Sequence, residues 1–244
     1  MTEYKGSKSE GQKIKKESQG MGPVRIIPLT SMRKTIIKRL SYSEKNTLRV
    51  TMTIEVDMSE AKRLRETINQ EERNVRISYT DIIVKATIDT LKQNLILNSK
   101  LEEEKIQIFE NIHMGVAVAL ESGLIVPVIR NAESLSLVEI SSNMKKLIEK
   151  AKKKKLSLSE VTGGTFTITN LGQFGVDIFT PIINPPQSAI LAVGRINEKP
   201  VVVNGEIVKR HIMSITLSFD HRIIDGAEAA MFLQGIKTVL EAKK

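Results

Sequence analysis

The chain carries three histidines, His113, His211 and His221, and no cysteine. Without a thiol of its own it can form no disulfide, no thiolate metal site and no cysteine nucleophile, so any thiol chemistry must use the substrates' thiols. An imidazole is the side chain best suited to exchange protons near neutral pH, which puts the histidines first. His113 lies inside an alternating apolar segment and His211 at the start of another, positions where a histidine is more often a satisfied structural group. His221 differs. It stands where a β-rich run gives way to a loop, within Asp220-His221-Arg222-Ile223-Ile224-Asp225-Gly226, and strand ends are where sheets present side chains to ligands. Asp225 lies close to the start of the closing helix and can serve as its cap. Gly226 would then be the flexible residue that permits the sharp turn.

The elements that must hold these residues can be read from periodicity. Thr30 and Ser31 can cap a helix carrying Ile36, Ile37 and Leu40; Leu48, Val50, Met52, Ile54 and Val56 then alternate as a long half-buried strand. Ser59 is placed to cap a helix with Ala61, Leu64 and Ile68 on one side, and Thr80 to open another that runs to about Asn94. A strand is expected near Lys105 to Phe109, followed by two β-rich runs flanking the turn signal Glu121-Ser122-Gly123. The small residues Gly115, Ala117 and Ala119 alternate with Met114, Val116 and Val118; tight sheet packing is the simpler explanation, and a close ligand the other. Leu137, Ile140, Met144, Leu147, Ile148 and Ala151 mark an amphipathic helix ending in Lys152 to Lys155, cations that suit a helix C-terminus. Gly163 to Asn170 reads as a strand, and Ile183 to Ile196 as a proline turn leading into a buried strand. Asn204-Gly205 between two β-rich runs is a strong hairpin signal. A strand from His211 to Phe219 and a helix marked by Ala229, Phe232, Leu233, Ile236 and Val239 complete the chain. Interleaved helices and strands with at least one hairpin predict an α/β fold with a mixed β-sheet and flanking helices.

The 244 residues, 41% of them hydrophobic, suffice for one full-sized core. Residues 1 to 22 are Lys, Ser, Gly, Gln and Glu with little apolar periodicity, and are expected to be a flexible linker. They contain no apolar run of about 7 to 15 residues such as a secretory signal needs, and no later run approaches the roughly 18 apolar residues of a membrane span. A cytoplasmic protein with no membrane partner is expected. The formal charge of +9 would suit nucleic acid, anionic lipid or a phosphorylated small molecule. With 4% aromatic residues and no tryptophan the chain lacks the stacking surfaces of single-strand binders, and no nucleic-acid partner is expected.

Three segments together resemble the dihydrolipoamide acyltransferases, the acyl-transferring components of 2-oxo acid dehydrogenase complexes. Ser218 to Gly226 is similar to that family's histidine motif, in which His-Arg and two apolar residues precede Asp-Gly; Gly163 to Gly172 is similar to its Gly-Gly-Thr-Phe strand; and Ile182 to Gly194 to its proline turn and buried strand. The resemblance runs from about Val24 to the C-terminus, so residues 23–244 are expected to be one acyltransferase domain. It implies a chloramphenicol acetyltransferase-like fold that forms trimers, which build hollow cages. It also implies that His221 takes the proton from a thiol of coenzyme A or dihydrolipoamide. Thr169, which alone would read as an ordinary strand threonine, stands where the family carries the hydroxyl that stabilises the oxyanion. Asp225 would hold the loop in shape through a basic side chain, with Arg33 a possible partner. His221 and Thr169 would come from neighbouring subunits. No metal is implied, and the coenzyme A contacts cannot be assigned to particular residues. The lipoyl group would ride on a separate or missing domain, and the 2-oxo acid decarboxylase and dihydrolipoamide dehydrogenase components would bind through segments absent from this chain. A cage-forming scaffold that has lost its chemistry and a free-standing small-molecule acetyltransferase remain the competing readings.

Overall fold

A computed structural model of the protein describes residues 27–71, 76–120 and 123–243, so the expected linker of residues 1–22 and the turn residues Glu121 and Ser122 lie outside the described part. The elements run α1 (Ser31–Lys45), β1 (Arg49–Asp57), α2 (Ser59–Glu71), α3 (Tyr79–Leu91), β2 (Ser99–Glu102), β3 (Lys105–Ile108), β4 (Met114–Val116), β5 (Val118–Leu120), β6 (Gly123–Ile125), β7 (Val128–Ile129), α4 (Leu137–Lys152), β8 (Phe166–Asn170), β9 (Ala189–Val203), β10 (Glu206–Asp220) and α5 (Gly226–Glu241).

Six strands form one sheet in the order β1-β10-β9-β8-β4-β7. β1, β10 and β9 pair antiparallel, β9, β8 and β4 parallel, and β4 and β7 antiparallel, which is the mixed sheet that the sequence predicts. Period two divides its faces. Met213, Ile215, Leu217 and Phe219 of β10, Leu191 and Val193 of β9, and Phe166 and Ile168 of β8 join one core with Ile83 and Ile88 of α3 and Phe232, Leu233 and Ile236 of α5. Phe166 meets Phe232 edge-on, with centroids 5.7 Å apart. The opposite face carries small and hydroxyl side chains: Thr51 is 3.0 Å from Ser218 and Thr53 2.8 Å from Thr216 across the β1–β10 ladder.

Asn204 and Gly205 both take positive φ, 53° and 87°, as a tight hairpin turn requires. The buried strand and the hairpin's first arm are one continuous strand, β9. Pro200 is tolerated in it because β8 accompanies β9 only as far as Val193, leaving the outer edge without a ladder to break.

Four local expectations are corrected. Ser59 is the first helical residue of α2 rather than its cap; Asp57 supplies the cap, its Oδ1 accepting from the Ser59 amide at 2.9 Å and from the Ser59 hydroxyl. α3 opens at Ser78, paired with Asp81 in a capping box, rather than at Thr80. The two β-rich runs around residues 121–122 are each split between sheets: β4 and β7 belong to the main sheet, β5 and β6 to a separate hairpin. Pro127, which has no amide proton, interrupts the second run, and its carbonyl accepts from the Val116 amide at 3.0 Å where the first run bends. Gly226 begins α5 without a positive φ; what its lack of a side chain spares is a 3.3 Å contact with the Met52 methyl. At Gly115 the packing explanation holds, since a Cβ there would stand 2.9 Å from Val126 and 3.0 Å from Thr167.

Candidate active site

β10 ends at Asp220, opposite Arg49 of β1. The Asp220 side chain is buried at the end of an otherwise apolar and hydroxyl-bearing strand, and it is fully employed. It accepts from the Leu48 amide at 3.2 Å, the Arg222 amide at 3.1 Å, Arg222 Nε at 3.0 Å and Arg222 Nη2 at 2.6 Å. In return, the carboxylate raises the pKa of the Arg222 guanidinium above its ordinary value. The residue between them is fixed by the same knot: the His221 amide donates to the Leu48 carbonyl at 2.9 Å, and the Ile223 and Ile224 amides donate to the Asp220 carbonyl. Ile224 is fully buried and anchors the loop from the other side. The backbone of His221 is therefore held on both sides while its ring, 45% exposed, faces solvent.

The His221 ring lies 5.9 Å from Phe219, centroid to centroid. Its Nδ1 stands 3.8 Å from Asp225 Oδ1, too long for a hydrogen bond. Among the described residues nothing hydrogen-bonds the ring, so both nitrogens are free for a substrate. Asp225 is the N-cap residue of α5, and its amide donates to Glu228 Oε2 at 2.8 Å. Within the described residues of one chain, Arg33 makes no ion pair with Asp225. Asp225 faces His221 instead, while Arg33 lines a cavity of about 620 Å³ between α1 and β6 with Met32, Ile36 and Leu124.

Thr169 lies on β8, flanked by β4 and β9, opposite Ala192 of β9. Phe166 and Ile168 point to the helices, so Thr165, Thr167 and Thr169 share the other face. Thr169 is 9% exposed, and its hydroxyl has no hydrogen-bond partner among the described residues. The strand register separates it from His221 of the same chain. Phe219 is opposite Ala189 on β9, and Thr169 is three residues further along that strand and one strand beyond it. At about 3.3 Å per residue and 4.8 Å per strand, the two side chains are on the order of 15–20 Å apart. One subunit does not bring them together.

His113 and His211 are both tied into the fold. The Asn131 amide donates to His113 Nδ1 at 3.2 Å, and burial, aided by Arg130, lowers the pKa of that imidazole. His211 Nε2 is 2.8 Å from Lys62 Nζ. The buried Asp220–Arg222 clamp was missed as a functional feature by sequence reasoning. The available signal was an aspartate on a buried strand with an arginine two residues on, since a buried carboxylate requires such a partner.

A family model for the catalytic domain of the 2-oxoacid dehydrogenases acyltransferases matches residues 22–244. The chain belongs to that family. It is 41% identical over 218 residues to the dihydrolipoyllysine-residue acetyltransferase component of the acetoin cleaving system of Bacillus subtilis (strain 168), a match covering 88% of this chain and 55% of that one. The chain thus spans about half the length of the curated relatives it matches. Two solved members superpose with TM-scores of 0.86 at 32% identity, covering 90% of this chain and 92% of each of theirs. One is the cubic core of a pyruvate dehydrogenase multienzyme complex. The other is the dihydrolipoamide acetyltransferase of Azotobacter vinelandii, solved in an investigation of the role of a serine, a histidine and an asparagine in its catalytic mechanism. That serine and histidine are 52 positions apart and the histidine and asparagine 4 apart, as Thr169 and His221, and His221 and Asp225, are in this family member. A chloramphenicol acetyltransferase, 12% identical with a TM-score of 0.58, shares the fold.

Proposed function

We propose that the chain is the catalytic domain of a dihydrolipoamide acyltransferase, which moves an acyl group between the thiol of dihydrolipoamide and that of coenzyme A. One observation carries this reading: an imidazole with both nitrogens uncommitted and a strand hydroxyl with no partner stand at the spacing of the histidine and serine studied in the Azotobacter enzyme.

A free thiol has a pKa near 8.5, so only a few per cent is thiolate at neutral pH. His221 accepts the thiol proton as attack on the thioester carbonyl begins. The oxygen of that carbonyl gains negative charge, and the unspent Thr169 hydroxyl donates to it. His221 then returns the proton to the departing thiol. Thiol and thioester exchange the acyl group directly, and this donor set fits such an exchange, since no covalent acyl-enzyme and no cysteine are needed. Asp225, at the N-cap position of α5, holds the start of that helix beside the ring.

Because one chain holds the two groups far apart, the site is assembled from His221 of one subunit and Thr169 of the next, in a homotrimer. The trimers build a larger cage of the kind that the cubic core represents. Residues 23–244 form the acyltransferase domain. The lipoyl group is presented by a domain outside residues 23–244, and the 2-oxo acid decarboxylase and dihydrolipoamide dehydrogenase components bind outside them as well. Among the described residues no helix is long and apolar enough to cross a membrane, and the complex is proposed to work in the cytoplasm.

Incubating the assembled protein with dihydrolipoamide and acetyl-, succinyl- or isobutyryl-coenzyme A, and following free coenzyme A, tests the reading. One donor should be turned over well above the others. No release from any of the three, by a protein that assembles, contradicts it.

A further inference from the structure

Between the helix-free face of the sheet and α1 runs the proline turn, and one buried side chain of β8 is tied to it. Thr167 is 1% exposed and Gln187 6%. The Thr167 hydroxyl donates to Gln187 Oε1 at 2.6 Å and accepts from Asn184 Nδ2 at 3.3 Å. The turn itself is pinned on its far side. The Ser43 hydroxyl of α1 donates to the Ile183 carbonyl at 2.6 Å, and Arg39 donates to Asn184 Oδ1 at 3.3 Å and to the Pro185 carbonyl at 3.2 Å. Where the turn enters β9, the Ser188 hydroxyl donates to the Leu97 carbonyl at 3.0 Å. A Cβ at Gly115 would come within 3.0 Å of Thr167 Oγ1, so the missing side chain on β4 is what leaves room for the hydroxyl in this bonded position.

We propose that Thr167, gripped by Gln187 and Asn184, is a positioning residue for the Thr169 hydroxyl. The inference rests on the assignment of Thr169 as the oxyanion donor. Side chains two apart on a strand project from the same face, and their direction follows the rotation of the strand about its own axis. Thr169 has no hydrogen-bond partner to orient it, so its aim is set by the β8 backbone. Thr165 is bonded to His113 at the start of the strand, and Thr167 supplies the next anchor, two residues before the donor. Among the described residues it makes the only side-chain hydrogen bonds between β8 and the turn. A donor must meet the oxyanion rather than the ground-state carbonyl, so a small rotation of β8 costs rate more than binding.

The test compares Thr167→Val, Thr167→Ser and Gln187→Leu in the assembled protein, each alone and with Thr169→Ala, measuring kcat, KM for coenzyme A and assembly. Thr167→Val and Gln187→Leu should lower kcat on the order of tenfold with KM nearly unchanged, and Thr167→Ser, which keeps the hydroxyl, should restore it. In the Thr169→Ala background neither change should lower kcat further. A wild-type kcat in Thr167→Val, or in Gln187→Leu should the former not assemble, overturns the proposal. So does a loss that multiplies undiminished onto Thr169→Ala, which would mark a general packing effect. A wild-type kcat in Thr169→Ala alone overturns the donor assignment together with this proposal, whereas the multiplicative result overturns this proposal only.

Discussion

Thr169 and His221 are presented in opposite ways. Thr169 lies on an interior strand between β4 and β9, where burial and its pairing with Ala192 of β9 fix it before any substrate arrives. His221 stands on a loop with its ring nearly half exposed, and only its backbone is fixed, by the Asp220–Arg222–Leu48 knot. Under the proposed mechanism, a hydroxyl that must point at a transient charge gains from rigidity, whereas an imidazole that must reach a thiol held against another subunit has to project from its own. On that proposal each is half of a site.

The comparison can be broken from either side. The largest effect belongs to the projecting half: His221→Ala should lower acyl transfer by at least about 10³-fold, with the assembly intact by size-exclusion chromatography. An active, assembled variant removes His221 from the mechanism. Thr169→Val is nearly isosteric and should cost about 10²- to 10³-fold in kcat with little change in KM, since the hydroxyl acts only in the transition state. An unchanged kcat removes the donor. Next comes the knot. Arg222→Lys keeps the charge on Asp220 but loses the fork of two nitrogens that holds it, so kcat should fall on the order of tenfold as the loop loosens, and the thermal midpoint should drop slightly. Equal activity would mean that Leu48 alone suffices. Asp225→Asn should have the smallest effect, because asparagine caps a helix about as well as aspartate; Asp225→Ala should cost about 1 kcal/mol of stability in chemical denaturation. A large loss of kcat in Asp225→Asn would instead give the carboxylate charge a direct part in catalysis.

What could be read in the sequence follows the range of the interactions. The Asn204-Gly205 hairpin, the cap at Thr30 and the apolar stripe of α4 are local patterns, and each is found where the spacing puts it. The split of β4 from β5 depends on where Pro127 meets a strand of another run, and the Ser78 cap of α3 competes with a Thr80 equally plausible by composition. At the site, the position of His221 at a strand end was legible. The roles of Asp220 and Arg222 were not, because the aspartate's burial and the Leu48 backbone that completes the knot depend on contacts 172 positions apart in the chain. Thr169 became visible through resemblance alone, since no property of a lone strand threonine separates it from its neighbours. That its hydroxyl is unspent is a tertiary fact.

The shared site is tested most directly by mixing two inactive subunits, His221→Ala and Thr169→Val, unfolding them together and refolding them into trimers. In a ring that pairs the histidine of one chain with the threonine of the next, every mixed trimer has one junction where both are wild type. Random mixing should therefore recover about a quarter of wild-type activity. Mixed trimers, verified by mass, that stay as inactive as the two parents would contradict a site built from two subunits.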